Sequence, residues 1–169
     1  MNLKKYLPAI VSGFGAAVLS TIPGIKNFSC CLLVPGAAAI SILLDQKISN
    51  SNERILLNKS LGFGFLTGLT ATVFITIFEM LITYITRSND FIQALPQSEI
   101  IMQQWNLGPL FDDSLEIIKN AANEIEKTGF SFIYLLMILS SYFIINTIFG
   151  LIGGAFGMSL ANRKFREEE

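Results

Sequence analysis

The sequence predicts an all-α membrane protein with four transmembrane helices and both termini on the cytoplasmic side. Hydrophobic residues make up 51% of the chain and charged residues only 15%. The charges are concentrated at the termini and in the connections, which leaves four nearly charge-free stretches between them. A helix needs about 20 apolar residues to cross roughly 30 Å of hydrocarbon. We therefore interpret residues 1–169 as a single four-helix transmembrane domain.

The first two apolar stretches predict a helical hairpin. Residues 6–24 are long enough to span, although Lys4 and Lys5 ahead of them are also compatible with a signal peptide. We favour the span, because the stretch lacks an Ala-x-Ala type exit and leads into another apolar segment. That segment, residues 29–44, is short and contains Pro35, so it could be buried or re-entrant. We expect it to cross the membrane, because a hairpin satisfies its backbone polar groups best.

Residues 60–86 and 131–160 predict two long spans that pack together. Helix packing in lipid depends on small residues, because apolar side chains gain little by leaving acyl chains for each other. An antiparallel register that sets Thr86 level with about residue 132 places small and polar residues of one helix opposite those of the other. The predicted helix-packing residues are Gly64, Gly68, Gly150, Gly154 and Gly157, with Thr72 opposite Asn146 and Glu79 near Ser140.

The connection between these spans, residues 87–130, predicts an extracytoplasmic helical loop. Its seven acidic and three basic residues give a net charge of −4, which we attribute to solvation. An amphipathic helical segment is expected at about residues 97–128, in two parts. Pro96, with Ser98 and Glu99, should open the first part. Trp105 follows and is expected at the membrane surface.

The second part of the loop predicts a helix from Asp112 or Asp113 to Gly129. Glu116 lies three residues after Asp113 in a capping-box-like arrangement. Its apolar stripe consists of Leu115, Ile118, Ala122 and Ile125, and its polar face of Glu116, Asn120, Asn123, Glu124 and Lys127. So narrow a stripe favours packing on the protein's own bundle or on a second copy over a receptor site.

The distribution of Lys and Arg predicts the orientation. With a cytoplasmic N-terminus and four crossings, eight basic residues fall inside and four outside. The inner set is Lys4, Lys5, Lys47, Arg54, Lys59, Arg163, Lys164 and Arg166, and the outer set is Lys26, Arg87, Lys119 and Lys127. The excess on the inner side agrees with the positive-inside rule, so both termini are expected in the cytoplasm.

Glu79 is the only ionisable side chain well inside an apolar stretch. It belongs to a row that follows one helix face at steps of three and four, formed by Gly64, Gly68, Thr72, Thr76, Glu79, Thr83 and Thr86. In one interpretation Glu79 is protonated or hydrogen-bonded and joins helices. In a second it exchanges a proton or cation in a polar cavity, and in a third it reaches toward the interface. The candidate intramembrane polar site is Glu79, Thr72, Thr76, Thr83, Ser140 and Asn146.

The residue types argue against an enzyme. The chain contains no histidine, which removes the commonest general base, the usual neutral zinc ligand and the catalytic triad. It also lacks a nucleophile elbow, a phosphate-binding glycine loop and an acidic metal motif. The basic residues are too few and scattered for nucleic-acid binding. We therefore expect no enzymatic activity, no cofactor, no metal and no nucleic-acid partner.

Two adjacent cysteines, Cys30 and Cys31, begin the second apolar stretch. Sequence neighbours rarely bond to each other without strain, and a pair alone cannot complete a tetrahedral metal site. We interpret them as small packing residues at a helix start. An intermolecular disulfide and a metal site completed by a partner remain alternatives.

The order of parts suggests a family. A short hairpin and a polar turn precede a long third span, and the last span ends in a glycine run before basic residues. The matching positions are Lys59–Gly68, Leu115–Lys119, Glu126, Lys127, Arg163 and Lys164, with Asn27, Cys30, Cys31, Gly36 and Ala39 in an Asn-x-x-Cys-Cys and small-residue pattern. The chain thus resembles small four-helix bacterial membrane proteins grouped as domains of unknown function. The resemblance implies a bacterial source and an inner-membrane location, but no established activity, and Pro35 departs from the Gly-Gly expected before Ala37.

Two functional classes remain open at this point. We favour a non-enzymatic structural or accessory subunit that assembles through small-residue helix faces, with itself or within a larger membrane complex. The alternative is an oligomeric transporter or channel component in which the Glu79 row lines a proton or cation path. Four spans without a detectable inverted repeat argue mildly against a solitary transporter. A dry helix contact along the row would support the first class, and a wet cavity the second.

Overall fold

The computed structural model describes residues 3–22, 24–49, 54–89, 92–97, 100 and 109–163. In these ranges the chain is mainly helical and contains no strand, so the all-α class is confirmed for this part of the chain. The long helices are α1 (Leu3–Ser20), α2 (Val34–Ser49), α3 (Leu57–Thr86), α4 (Pro109–Thr128) and α5 (Phe132–Ala161).

Three helical segments within the described ranges are long and apolar enough to cross a membrane. They are Cys31–Ser49, Leu57–Thr86 and Phe132–Ala161, and Tyr6–Ser20 forms a shorter apolar helix. The predicted spans at 60–86 and 131–160 agree with α3 and α5 to within three residues at each end. The first predicted span, 6–24, extends four residues beyond the end of α1 at Ser20.

The connection from α1 to α2 explains how the second apolar segment accommodates its proline. After Gly24, whose φ is +90°, the chain forms a 3₁₀ turn at Lys26–Phe28 and a π-helical turn at Ser29–Leu33. Pro35 then lies directly after this turn, in which the Val34 N–H bonds to Ser29 O, so the α-helical hydrogen-bond pattern is already interrupted where proline lacks its N–H. Helix α2 therefore continues to Ser49, five residues beyond the predicted end at residue 44.

Pro96, the predicted start of the first loop helix, does not begin the helical segment in which it lies. Residues 92–97 are already helical, and the Ile92 N–H donates to Asn89 Oδ1 at 2.9 Å. Asn89 therefore acts as the N-terminal cap, a position that asparagine favours strongly. The rest of that predicted helix, with Ser98, Glu99 and Trp105, lies outside the described residues.

Helix α4 has the amphipathic character predicted for the second loop helix. It begins at Pro109, before the expected Asp112 or Asp113, because proline is well suited to the first helical position. It ends as predicted before Gly129, which has a φ of +80° and donates its N–H to Ile125 O at 2.7 Å. The inward side contains buried Ala121, Ala122 and Ile125 and half-buried Leu115 and Ile118, and the predicted polar face is exposed at Glu116, Asn120, Asn123, Glu124 and Lys127.

The chain divides into two compact units. The first unit comprises Met1–Thr76 with Leu139–Glu169, and the second comprises Ile77–Ile138. Within the first unit, the backbone of α3 runs beside α1, so that a Cβ added to Gly13 would lie 2.7 Å from Thr67 O. Thr67 Oγ1 also donates to Ser41 Oγ of α2 at 3.2 Å. Helix α3 thus packs against both α1 and α2 in this unit.

Candidate functional site

A close helix contact in the first unit joins α3 to α5 through glycines. A Cβ added to Gly64 would overlap the carbonyl oxygen of Gly150, and one added to Gly68 would overlap that of Asn146. A Cβ on Gly154 would lie 2.7 Å from Ser60 O and 3.2 Å from Gly64 Cα. These contacts confirm the antiparallel register that the sequence predicts for the two helices.

The glycine run of α5 contacts two different helices. Gly150 and Gly154 face α3, whereas Gly153 and Gly157 face α2. A Cβ on Gly153 would overlap the Pro35 backbone, and one on Gly157 would lie 2.7 Å from Ala39 Cα. The two overlapping Gly-x-x-x-Gly pairs are therefore two separate contact faces on one helix, each of which lets a second backbone approach.

A buried hydrogen-bonded pair continues the α3–α5 contact beyond the glycines. Asn146 Nδ2 donates to Thr72 Oγ1 at 3.1 Å, and the two residues are only 2% and 1% exposed. Thr72 Oγ1 also lies 3.0 Å from Gly68 O and 3.1 Å from Tyr142 O. Because a hydroxyl has one proton, Thr72 accepts from Asn146 and donates to one of these carbonyl oxygens. The contact is a direct one between protein groups.

The remaining threonines of the Glu79 row are buried, except at its end. Thr76 is 4% exposed and belongs to the first unit. Its Oγ1 has no hydrogen-bond partner within the described residues. Thr83 belongs to the second unit, where it is fully buried and accepts from Asn89 Nδ2 at 3.4 Å. Thr86, the last member, is exposed.

Glu79 and Ser140 differ from the buried members of the predicted polar site. Glu79 is half-buried and lies in the second unit. Ser140 is exposed and lies in the first unit. Of the six predicted site residues, the structure thus brings Thr72 and Asn146 into direct contact, while Ser140 does not belong to that buried pair.

Three further hydrogen bonds at this end of α3 and α5 were not predicted. Ser60 Oγ donates to Gly154 O at 2.5 Å. Asn162, directly after α5, pairs with Ile55, which lies two residues before α3: its Nδ2 donates to Ile55 O at 3.0 Å and its Oδ1 accepts from Ile55 N at 2.9 Å. Ser60 precedes Gly64 by four residues and therefore lies on the same helix face as the Glu79 row. This spacing could have predicted that Ser60 faces the contact. No local pattern marks Asn162.

An ion pair connects the ends of α2 and α3. Lys59 Nζ lies 2.5 Å from Asp45 Oδ2, with the side chains 37% and 11% exposed. The same ammonium group lies 5.9 Å from the centre of the Phe63 ring, within reach of a cation–π attraction. Because Asp45 is nearly buried, the loss of Lys59 would leave a desolvated charge without its partner.

Comparisons with known proteins identify no relative of this chain. No protein-family model matches the chain, and searches of the curated proteins and of the solved structures find no significant match. The chemistry at the α3–α5 contact is that of hydroxyl, amide and carbonyl groups that satisfy one another, which positions helices and excludes water at Thr72 and Asn146.

Proposed function

We propose that the protein is a non-enzymatic structural or accessory subunit of a membrane complex. The observation that carries the proposal is the hydrogen bond from Asn146 to Thr72 in a buried, glycine-lined helix contact. A water-filled path along α3 would need polar groups that face solvent. These two residues instead face each other, and both are almost fully buried. The pair supports a role in holding helices together.

The proposed topology has four spans, at about 6–24, 29–44, 60–86 and 131–160, with both termini in the cytoplasm of a bacterium. The short apolar helix Tyr6–Ser20 would cross together with the turn that follows it. The excess of Lys and Arg on the proposed inner side supports this orientation. The location would be the inner membrane, as the resemblance to small four-helix bacterial proteins implies.

The glycine faces of α3 and α5 contact each other and α2 within one chain, so assembly with a partner requires an outward face. Helix α5 has such a face, formed by large apolar residues at steps of four. Its members are Ile144, Ile148, Ile152 and Phe156, which are 58%, 52%, 55% and 62% exposed. Residues at this spacing form a ridge that fits the groove of a neighbouring helix. We place the partner contact of the subunit on this ridge.

The alternative function, ion or proton passage in an oligomer, depends on Glu79. Under the structural proposal, Glu79→Gln retains assembly and leaves membrane proton and cation fluxes unchanged, because the amide keeps the size and hydrogen-bonding capacity of the side chain. The measurement is the flux into proteoliposomes that contain the wild type or the variant. Retained assembly with a lost flux would instead establish transport.

The experiment that tests the proposal is the isolation of the native complex in mild detergent from the protein's own membranes, with its mass and composition measured. Other polypeptides in a fixed ratio are the expected result and would identify the partner. A homo-oligomer alone would contradict the accessory role. As a matched pair of variants, Ile148→Ala on the ridge should weaken recovery of the partner, whereas Val73→Ala on α3, also apolar and exposed, should not.

A further inference from the structure

An apolar groove lies between α1 and the beginning of α2, in the first unit. Its volume is about 230 Å³. Leu19, Leu32 and Ile40 form its raised edges and are 44%, 68% and 53% exposed. Gly15 and Gly36 contribute the low parts of its lining. The groove is thus an elongated depression in the outer surface of the helical hairpin, bordered by large side chains.

The two glycines of this groove differ from those that bring helices together. Among the described residues, a Cβ added to Gly15 or to Gly36 would meet no other atom within 4 Å. At Gly13, only two residues before Gly15, a Cβ would lie 2.7 Å from the α3 backbone. Packing inside the chain therefore explains Gly13 but neither Gly15 nor Gly36. Their effect is to keep space open on the outside.

The dimensions of the groove restrict what can occupy it. Its lining extends from Ser12 to Leu19 on α1 and from Leu32 in the π-helical turn to Ile40 on α2, which corresponds to about 10–12 Å at roughly 1.5 Å per residue. This volume is smaller than the space that a helix of about 10 Å diameter occupies over the same length. A single hydrocarbon chain fits this shape. The volume also exceeds the ~150 Å³ of an apolar cavity that admits benzene.

The groove is lined mainly by hydrocarbon groups and by no charged side chain. Ser12 is the polar residue among the lining side chains, and its hydroxyl oxygen is covered by protein atoms and has no partner in the described part of the chain. An occupant therefore meets methyl and methylene groups along the whole groove. This environment suits the acyl part of a lipid and excludes its headgroup.

We propose that this groove binds one acyl chain of a membrane phospholipid. The proposal rests on the proposed insertion of α1 and α2 in the bilayer, which supplies acyl chains at high concentration next to the groove. The bound chain replaces the side chains that Gly15 and Gly36 lack, and it completes the packing between the two helices of the hairpin.

Photo-labelling tests the proposal. The full chain is reconstituted in vesicles of phosphatidylglycerol with a phosphatidylcholine whose acyl chain carries a diazirine, illuminated and digested, and the adducts are located by mass spectrometry. Leu32 and Ile40 should carry at least threefold more adduct than Ile144 and Ile148, which are similarly exposed on α5. Gly36→Leu or Gly15→Leu, which fill the groove from opposite helices, should reduce the groove adducts to the α5 level.

Gly62→Leu is the matched control, since a Cβ there also meets nothing within 4 Å and Gly62 is no part of the groove lining. It should leave the groove adducts unchanged, and circular dichroism verifies that each variant folds. Equal labelling of groove and α5 residues in the wild type, unaffected by Gly36→Leu, overturns the acyl-chain site. Labelling of α5 with none in the groove also overturns it, because a protein segment must then cover the groove. If neither α5 nor Val73, which is exposed on α3 away from the α5 ridge, carries adduct, the chain is not inserted, and the proposed function fails with it.

Discussion

At the residue scale, the distance between α3 and α5 is determined by which atoms face each glycine. Gly62, Gly64 and Gly68 belong to the same helix and are all within two turns of one another. A Cβ would overlap the α5 backbone at Gly64 and Gly68, whereas it would meet nothing within 4 Å at Gly62. The same residue type therefore has opposite consequences on two sides of one helix.

This contrast predicts opposite effects of two identical substitutions. Gly68→Ala should lower the free energy of unfolding by about 1–3 kcal/mol, the usual cost of overpacking, because the backbone of α5 cannot move aside as a flexible side chain would. Gly62→Ala should be neutral or stabilising by up to ~1 kcal/mol, because alanine is the better helix former. Thermal unfolding in one detergent, followed by circular dichroism, measures both. Equal effects would show that α3 and α5 do not approach as closely as described.

The Thr72–Asn146 hydrogen bond predicts a measurable coupling between the two residues. In a double-mutant cycle with Thr72→Val and Asn146→Ala, the coupling energy should be about 0.6–2 kcal/mol, the range found for hydrogen bonds between membrane helices. Thr70 provides the control, because its Oγ1 donates within its own helix to Leu66 O at 2.8 Å. A cycle of Thr70→Val with Asn146→Ala should give a coupling near zero. A coupling of the same size in both cycles would contradict a specific pair.

Much of this site was predictable from the sequence, and the reason is periodicity. Steps of three and four place Gly64, Gly68 and Thr72 on one face, and the same spacing on the last span supplies Gly150 and Asn146 as matching partners. The pattern does not encode which neighbour each face meets, so the contact of Gly153 with Pro35 could not be predicted. The exposure of Ser140 was missed for the same reason, because a polar residue at a suitable register need not face the contact.

At the element scale, helix ends were predicted less well than helix interiors. The apolar stripe of α4 follows from its period, but its start depends on Pro109 and the start of residues 92–97 depends on the cap at Asn89. Several residues near each end are acceptable caps, and the sequence does not choose among them. The π-helical turn at Ser29–Leu33 has no sequence signature at all, although it decides how Pro35 is accommodated.

The inward stripe of α4 predicts a large difference between two isoleucines. Ile125 is fully buried and Ile117 is 51% exposed. Ile125→Ala should destabilise the second unit by about 2–5 kcal/mol through the cavity it leaves, whereas Ile117→Ala should stay within about 0.5 kcal/mol, as for most surface changes. Hydrogen exchange of the α4 amides measures the loss of protection. If the two variants exchange alike, the helix does not pack through this stripe.

At the scale of the whole molecule, the number of membrane crossings depends on whether the second apolar segment spans the bilayer. Cys31–Ser49 is long and apolar enough to cross, but α1 provides a shorter partner. If both segments cross, the α2–α3 connection lies on the same side as the N-terminus. If α1 crosses and Cys31–Ser49 is re-entrant, that connection lies on the opposite side, although the order of the helices is the same. The hydrophobic pattern is common to both arrangements, and only the positions of the basic residues favour four crossings.

Single cysteines at two exposed positions distinguish these arrangements. In a background of Cys30→Ser and Cys31→Ser, Glu116→Cys on α4 should react in intact spheroplasts with a maleimide that cannot cross the membrane. Ser49→Cys, at the end of α2, should react only after permeabilisation, because four crossings and the positive-inside rule place it in the cytoplasm. Reaction of both from outside would mean that α3, the span between them, does not cross. Reaction of Ser49→Cys alone would mean that the two positions have exchanged sides, as they do when Cys31–Ser49 does not cross after α1 or when the whole protein is inverted. Either result contradicts the proposed topology.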